Sequence, residues 1–180
     1  ASAIVSITVN PLLFDALPAV ERRLRQWPWL WTRIDRPRTD DGPMTEGISG
    51  HVVIVGCGRV GRHVTEAVGQ LGVPRLVIEV DPTRLDKLHD LGVPVLYGDA
   101  ANSEILSHAS LAQARSLVIT LPDASAAVTI AHAAHKVSPT LPLVARAPTW
   151  EAARLLRDAG VQTVIRPELE GGLGLLRATL

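Results

Sequence analysis

Between residues 51 and 180 the sequence changes six times from a short apolar run to a segment with helical apolar spacing. No other feature restricts the possible folds as much. The runs are "HVVIV", "RLVIEV", "PVLYGDA", "RSLVITL", "LPLVARA" and "VQTVIRP". "GRVGRHVTEAVGQLG" places Val60, Val64, Val68 and Leu71 at helical spacing, with Gly72 as its stop. "DPTRLDKLHDLG" has Asp81 as its N-cap and Pro82 in its first turn. "NSEILSHA" is a short helix capped by Asn102 or Ser103. "DASAAVTIAHAAHKV", "TWEAARLLRDAG" and "ELEGGLGLLRATL" complete the helical set. Such alternation with short loops predicts a parallel sheet covered on both faces, with right-handed crossovers. Continuous apolar runs such as "HVVIV" suit strands covered on both sides. The predicted class is therefore α/β, a Rossmann doubly wound parallel six-stranded sheet with helices on both faces, in the order 3-2-1-4-5-6.

Upstream of residue 51 the character differs. Residues 1–20 are largely apolar and carry one acid, Asp15. They read either as an apolar arm broken at Pro11 and Pro18 or as the end of a transmembrane helix. Residues 21–50 favour the second reading. Arg22, Arg23, Arg25, Arg33, Arg36 and Arg38 interleave with Trp27, Trp29 and Trp31, three of the four tryptophans. Basic residues beside an apolar end fit the positive-inside rule, and tryptophan favours the headgroup level. The stretch "TDDGPMTEGISG" reads as a linker, with a domain boundary near Gly50. Formal net charge is zero, which disfavours a nucleic-acid partner. The single cysteine, Cys57, excludes an intrachain disulfide. The chain starts at Ala1 rather than methionine, so a fragment or processed product is expected.

The first strand-to-helix junction carries Gly56, Cys57, Gly58, Arg59, Val60 and Gly61, a G-x-G-x-x-G in the context that gives the motif meaning. Gly56 permits the tight turn, Gly58 lets phosphate oxygens approach the backbone, and Gly61 permits close helix–strand packing. Free N–H groups and the helix dipole then favour an anion at the helix start. Glu79 ends the second strand 18 residues after Gly61, close to the usual ~20. A carboxylate there accepts from ribose hydroxyls and repels a 2′-phosphate, so NAD or another plain adenosine nucleotide is expected rather than NADP. Asp81 either shares that role or only caps its helix. Gly98, Asp99 and Ala100 leave the third strand at the same sheet edge: Asp99 either accepts from the adenine amino group or bonds nearby backbone, and Ala100 packs on the ring. Thr120 and Leu121 end the fourth strand beside the first, where ligands of open α/β sheets bind. Arg59 either reaches a phosphate or is solvated. Cys57 reads as a small filler rather than a redox thiol, and His132 with His135 lacks further metal ligands nearby, so no metal is expected.

A hydride-transferring enzyme also needs a region that holds its substrate and supplies an acid or base. The alternating segment occupies 51–180 and leaves only the arm and linker, which argues against an ordinary dehydrogenase while keeping a dehydrogenase fragment as the alternative. "HVVIVGCGRVGRHV", "VIEVDPTRLDKLHDLGVPVLYGDAANSEIL" and "VARAPTWEAARLLRDAGVQTVIRPELEGG" resemble the N-terminal RCK domain, also called TrkA-N or KTN. The version most resembled is attached to bacterial monovalent cation:proton antiporters of the potassium-efflux type, and "SITVNPLLF" is similar to the end of their last transmembrane helix. The resemblance implies a regulatory domain on the cytoplasmic face of the inner membrane that binds NAD(H) or AMP-type nucleotides and gates a transport domain of the same polypeptide. It also implies a homodimer formed partly through the last helices, and places Arg146 and Glu168 near the cleft or dimer surface. Carried over, the ligand contacts are Gly56–Gly61, Glu79, Asp81, Gly98, Asp99, Ala100, Thr120 and Leu121.

Overall fold

The computed structural model describes residues 48–180. The apolar arm, the tryptophan–arginine segment and most of the linker lie outside the described residues. Six strands form one sheet: β1 (Val52–Val55), β2 (Arg75–Glu79), β3 (Val95–Tyr97), β4 (Ser116–Ile119), β5 (Leu143–Arg146) and β6 (Thr163–Ile165). All neighbouring pairs are parallel, and the order is β3-β2-β1-β4-β5-β6, as the alternation and the glycine fingerprint predict. The connecting helices are α1 (Arg59–Gln70), α2 (Pro82–Asp90), α3 (Ser103–His108), α4 (Ala124–Val137) and α5 (Trp150–Asp158); α6 (Pro167–Thr179) follows β6.

Alternation of side chains along β1 divides the core in two. Val52 and Ile54 join Val77, Val95 and Leu88 on the side covered by α1 and α2. Val53 and Val55 join Leu76, Ile78 and Leu96 in the larger cluster that receives Ile105, Leu106, Ile130 and Leu156 from the helices of the other face. Both faces of β1 are thus buried, which is why its sequence is apolar without alternation. In α4 the small residues Ala127, Ala131 and Ala134 lie fully buried and allow close approach to the sheet.

The covering thins at one edge. β6 is largely exposed, and α6 buries none of its residues. On one face α5 packs against β6 and Val164 joins the larger core cluster, so the helices reach the last strand, while α6 adds no buried residue. A three-residue 3-10 turn at Leu111–Gln113 was not legible in the sequence; it follows Ser110 at φ 49. Gly50, at the expected boundary, donates to Gln113 O at 2.8 Å and so anchors the entry to β1. Among the described residues no helix is long and apolar enough to cross a membrane.

Candidate functional site

The junction of β1 and α1 stands at the carboxyl edge of the sheet, between β2 and β4. Two of its glycines are demanded by the protein itself. Gly56 has φ +84, and a Cβ on it would come within 2.7 Å of Leu121 Cδ2. A Cβ on Gly61 would collide with the Gly56 carbonyl and lie 2.7 Å from Thr120 Oγ1. Gly58 differs. Its φ is −72, and a Cβ there would meet nothing nearer than Arg84 Nη1 at 3.9 Å. The fold does not need glycine at this position, so the open space in front of it is available to a ligand atom.

The helix start at Gly58 is also chemically open. α2, α3, α4 and α5 are capped by the side chains of Asp81, Asn102, Asp123 and Thr149. α1 begins at Gly58 with no side-chain cap, which leaves its first-turn N–H groups facing the cleft with the positive end of the helix dipole. An anion placed there satisfies those donors.

Side chains from both neighbouring strands hold the loop in shape. On the β4 side, Thr120 Oγ1 donates to Gly56 O at 2.8 Å and to Val55 O at 3.0 Å, and Leu121 packs against Gly56. On the β2 side, Glu79 is only 3 % exposed and its carboxylate is fully engaged. Oε2 accepts from Cys57 N at 2.6 Å and from Arg84 Nη1 at 3.2 Å; Oε1 accepts from Val80 N at 2.9 Å and Asp81 N at 3.0 Å. The residue expected to receive ribose hydroxyls also braces the β1–α1 loop, with two donors of the protein on each of its oxygens. Asp81 is half-buried and caps α2 as expected. Its Oδ1 accepts from Thr83 N at 3.0 Å and Thr83 Oγ1 at 2.7 Å, while Oδ2 pairs with Arg84 Nε at 3.1 Å. The Thr83 hydroxyl and then the Thr83 N–H hold the Asp81 carboxyl below the usual aspartate value.

Cys57 is buried, and burial followed by the Glu79 charge pushes its thiol up, so the thiolate is disfavoured and the small-filler reading fits. At the third strand's exit, Asp99 is exposed and its Oδ1 receives Ala101 N–H at 2.8 Å, the local backbone role. Ala100 is 2 % exposed and packs in the larger core cluster. Gly98, at φ +155, lies against Ile105 and turns the chain away from β3. Val60 and Gly61 lie in the first turn of α1.

A cavity of about 260 Å³ opens beside the loop on its β2 side, lined by Cys57, Gly58, Arg59, Arg62, Arg84, Lys87, Leu88 and Leu91. Of these, Arg62, Arg84 and Lys87 were missed in the sequence. The signal was present: Arg84, Lys87 and Leu88 on α2 and Leu91 just past its end follow one another at helical spacing, and Arg59 and Arg62 do so on α1. Arg146 and Glu168 pair with each other, Nη2 to Oε1 at 2.8 Å, at the β5–α6 edge away from this cavity. Nearby, the Arg166 guanidinium stacks 4.1 Å from the Trp150 ring centre.

Comparison with known proteins gives a consistent result. The TrkA-N domain model matches residues 52–167. YbaL of Escherichia coli K12, a candidate cation/proton antiporter, is 32% identical over 171 residues, covering 94% of this chain and 30% of YbaL. The crystal structure of the TrkA-N domain of the Escherichia coli inner membrane protein YbaL superposes with a TM-score of 0.69 at 32% identity, over 73% of this chain and 98% of that one. The Kef C-terminal domain of Shewanella denitrificans in its AMP-bound form superposes with a TM-score of 0.62 at 30% identity, over 69% of this chain and 75% of that one. The chain spans 20–30% of the length of the first two curated relatives it matches.

Proposed function

The chain belongs to the TrkA-N domain family, and from that premise we propose that it is the nucleotide-sensing regulatory part of a bacterial monovalent cation:proton antiporter. The observation that carries this reading is the contrast within the glycine loop. Gly56 and Gly61 serve the fold, whereas Gly58 and the uncapped α1 start serve an incoming phosphate. The ligand class is an adenine nucleotide, AMP or NAD(H). The AMP-bound Kef domain, at 30% identity, supports that class. The match to YbaL over 94% of the chain extends upstream of the described residues, which supports continuity with a membrane-embedded transport domain on whose cytoplasmic side this one lies.

The role is regulatory rather than catalytic. Nucleotide bound across β1 and β4 favours one arrangement of the domain over another, and the linker at 39–50 passes that preference to the transport domain. A second copy of the chain completes the unit: α6 leaves Leu169, Leu173 and Leu176 exposed on one side, a face that a partner helix covers. Calorimetric titration of the 180-residue chain with AMP, NAD and NADH is expected to give saturable one-to-one binding to at least one of them. Absence of binding to all three at millimolar concentration overturns the sensing reading.

A further inference from the structure

Four donors meet the Glu79 carboxylate, and they are not equivalent. Three are backbone N–H groups, of Cys57 at 2.6 Å, Val80 at 2.9 Å and Asp81 at 3.0 Å, and none can leave without moving the chain. The fourth is the Arg84 side chain, whose Nη1 donates to Oε2 at 3.2 Å, the longest of the set. The Arg84 side chain is 45 % exposed, against 3 % for Glu79. Rotation about its own bonds is therefore enough to withdraw it. Withdrawal does not set it loose, because its Nε is also held 3.1 Å from Asp81 Oδ2, at the start of the same helix.

Arg84 also stands beside the other half of the site. A Cβ placed on Gly58 would meet nothing nearer than its Nη1, at 3.9 Å. One guanidinium thus borders both the carboxylate that spacing assigns to the ribose and the helix start that takes the 5′-phosphate on the reading above. Glu79 and Asp81 share this single cation. A carboxylate accepts from hydroxyls as it does from arginine. A neutral diol, however, supplies no charge to replace the cation it removes from a buried carboxylate. A phosphate supplies a second anion, carries about −1.5 to −2 charges at neutral pH, and matches arginine in pairs of hydrogen bonds.

We propose that Arg84 is a specificity-determining residue: it blocks the ribose acceptor on Glu79 until a 5′-phosphate draws it toward Gly58, so that the site takes adenine nucleotides and turns away nucleosides. The proposal rests on the nucleotide-binding reading above. Asp81 is the pivot, holding Nε while the Nη groups turn. Ribose and phosphate recognition become one event, because the hydroxyls reach Glu79 only when the phosphate has taken its arginine.

Four ligands test this on the 180-residue chain by titration: AMP, adenosine, and the 2′,3′-dideoxy form of each. Loss of the two hydroxyls is expected to weaken AMP at least about tenfold, as hydrogen bonds to a charged acceptor are lost. The same loss is expected to change adenosine less than about twofold, because its hydroxyls meet a blocked carboxylate. A merely structural arginine leaves the two costs equal, and equal costs overturn the proposal alone. Failure of AMP to bind overturns the nucleotide reading and the proposal with it. In a second arm, Arg84→Met removes the donors at similar side-chain length, and its thermal melt verifies that it folds. Adenosine is expected to bind this variant about three- to tenfold more tightly than it binds the parent, with no such gain for dideoxyadenosine, while the advantage of AMP over adenosine shrinks about tenfold. Adenosine affinity that is unchanged or lower in Arg84→Met, or an undiminished advantage of AMP, also overturns the proposal.

Discussion

Glycine is one residue type, yet in this loop it answers two different demands, and substitution separates them. Adding a methyl at Gly61 drives it into the Gly56 carbonyl and Thr120, so Gly61→Ala is expected to cost about 1–3 kcal/mol as an overpacked contact between backbones. Gly58→Ser has room for its side chain, and its hydroxyl can cap the open start of α1. Stability is expected to stay level or rise by a few tenths of a kcal/mol. Nucleotide affinity should nonetheless fall at least about tenfold, because the side chain fills the phosphate approach. Urea denaturation paired with calorimetry checks both; a Gly58→Ser protein that binds like the parent would mean that the phosphate lies elsewhere. The glycines were legible because their spacing follows a strand and opens a helix. Glu79 was legible in position, but the contacts that brace it were not. Spacing puts a carboxylate at the end of β2, whereas the donors it meets come from Cys57, 22 residues away, and from Arg84 on the next helix.

Elements were read more securely than contacts. Each of the six strands contains part of an apolar run quoted from the sequence, and the caps at Asp81, Asn102, Asp123 and Thr149 follow from ordinary capping chemistry. The 3-10 turn at Leu111–Gln113 escaped because Ser110 takes a left-handed conformation without the glycine that usually announces one. The α2 cap also has a pH signature. The Thr83 hydrogen bonds depress the Asp81 pKa in the folded chain relative to its unfolded value near 3.9. Its contribution to stability is therefore complete above that unfolded value and disappears as pH falls through the lower folded one. Asp81→Asn keeps a capping oxygen but has no proton to gain, so a flatter loss of stability is expected below about pH 4. Urea midpoints between pH 5 and 2.5 measure the slope. Identical slopes for parent and variant would show that the cap is not held by its charge.

For the whole molecule, the glycine fingerprint and six-fold alternation sufficed for the sheet order, because parallel strands joined by right-handed crossovers have few alternatives. They did not reveal that α6 buries none of its residues. α6 carries an apolar stripe of Leu169, Leu173 and Leu176, and nothing in its own sequence says whether the surface it meets belongs to the same chain. If a second copy covers it, Leu173→Asp combined with Leu176→Asp should convert a dimer to a monomer at micromolar concentration. Light scattering coupled to gel filtration reports the mass. A parent chain that is itself monomeric, or a variant that stays dimeric, removes α6 from the interface.

On the proposed nucleotide-sensing reading, the grip on the β1–α1 loop from Thr120 on one side and Glu79 on the other has a kinetic consequence. The cradle takes its shape from the protein's own hydrogen bonds, so an arriving nucleotide has little chain to order and pays little entropy on entry. Binding and release then follow encounter and escape rather than a slow rearrangement. On that reading occupancy keeps pace with the nucleotide pool from moment to moment.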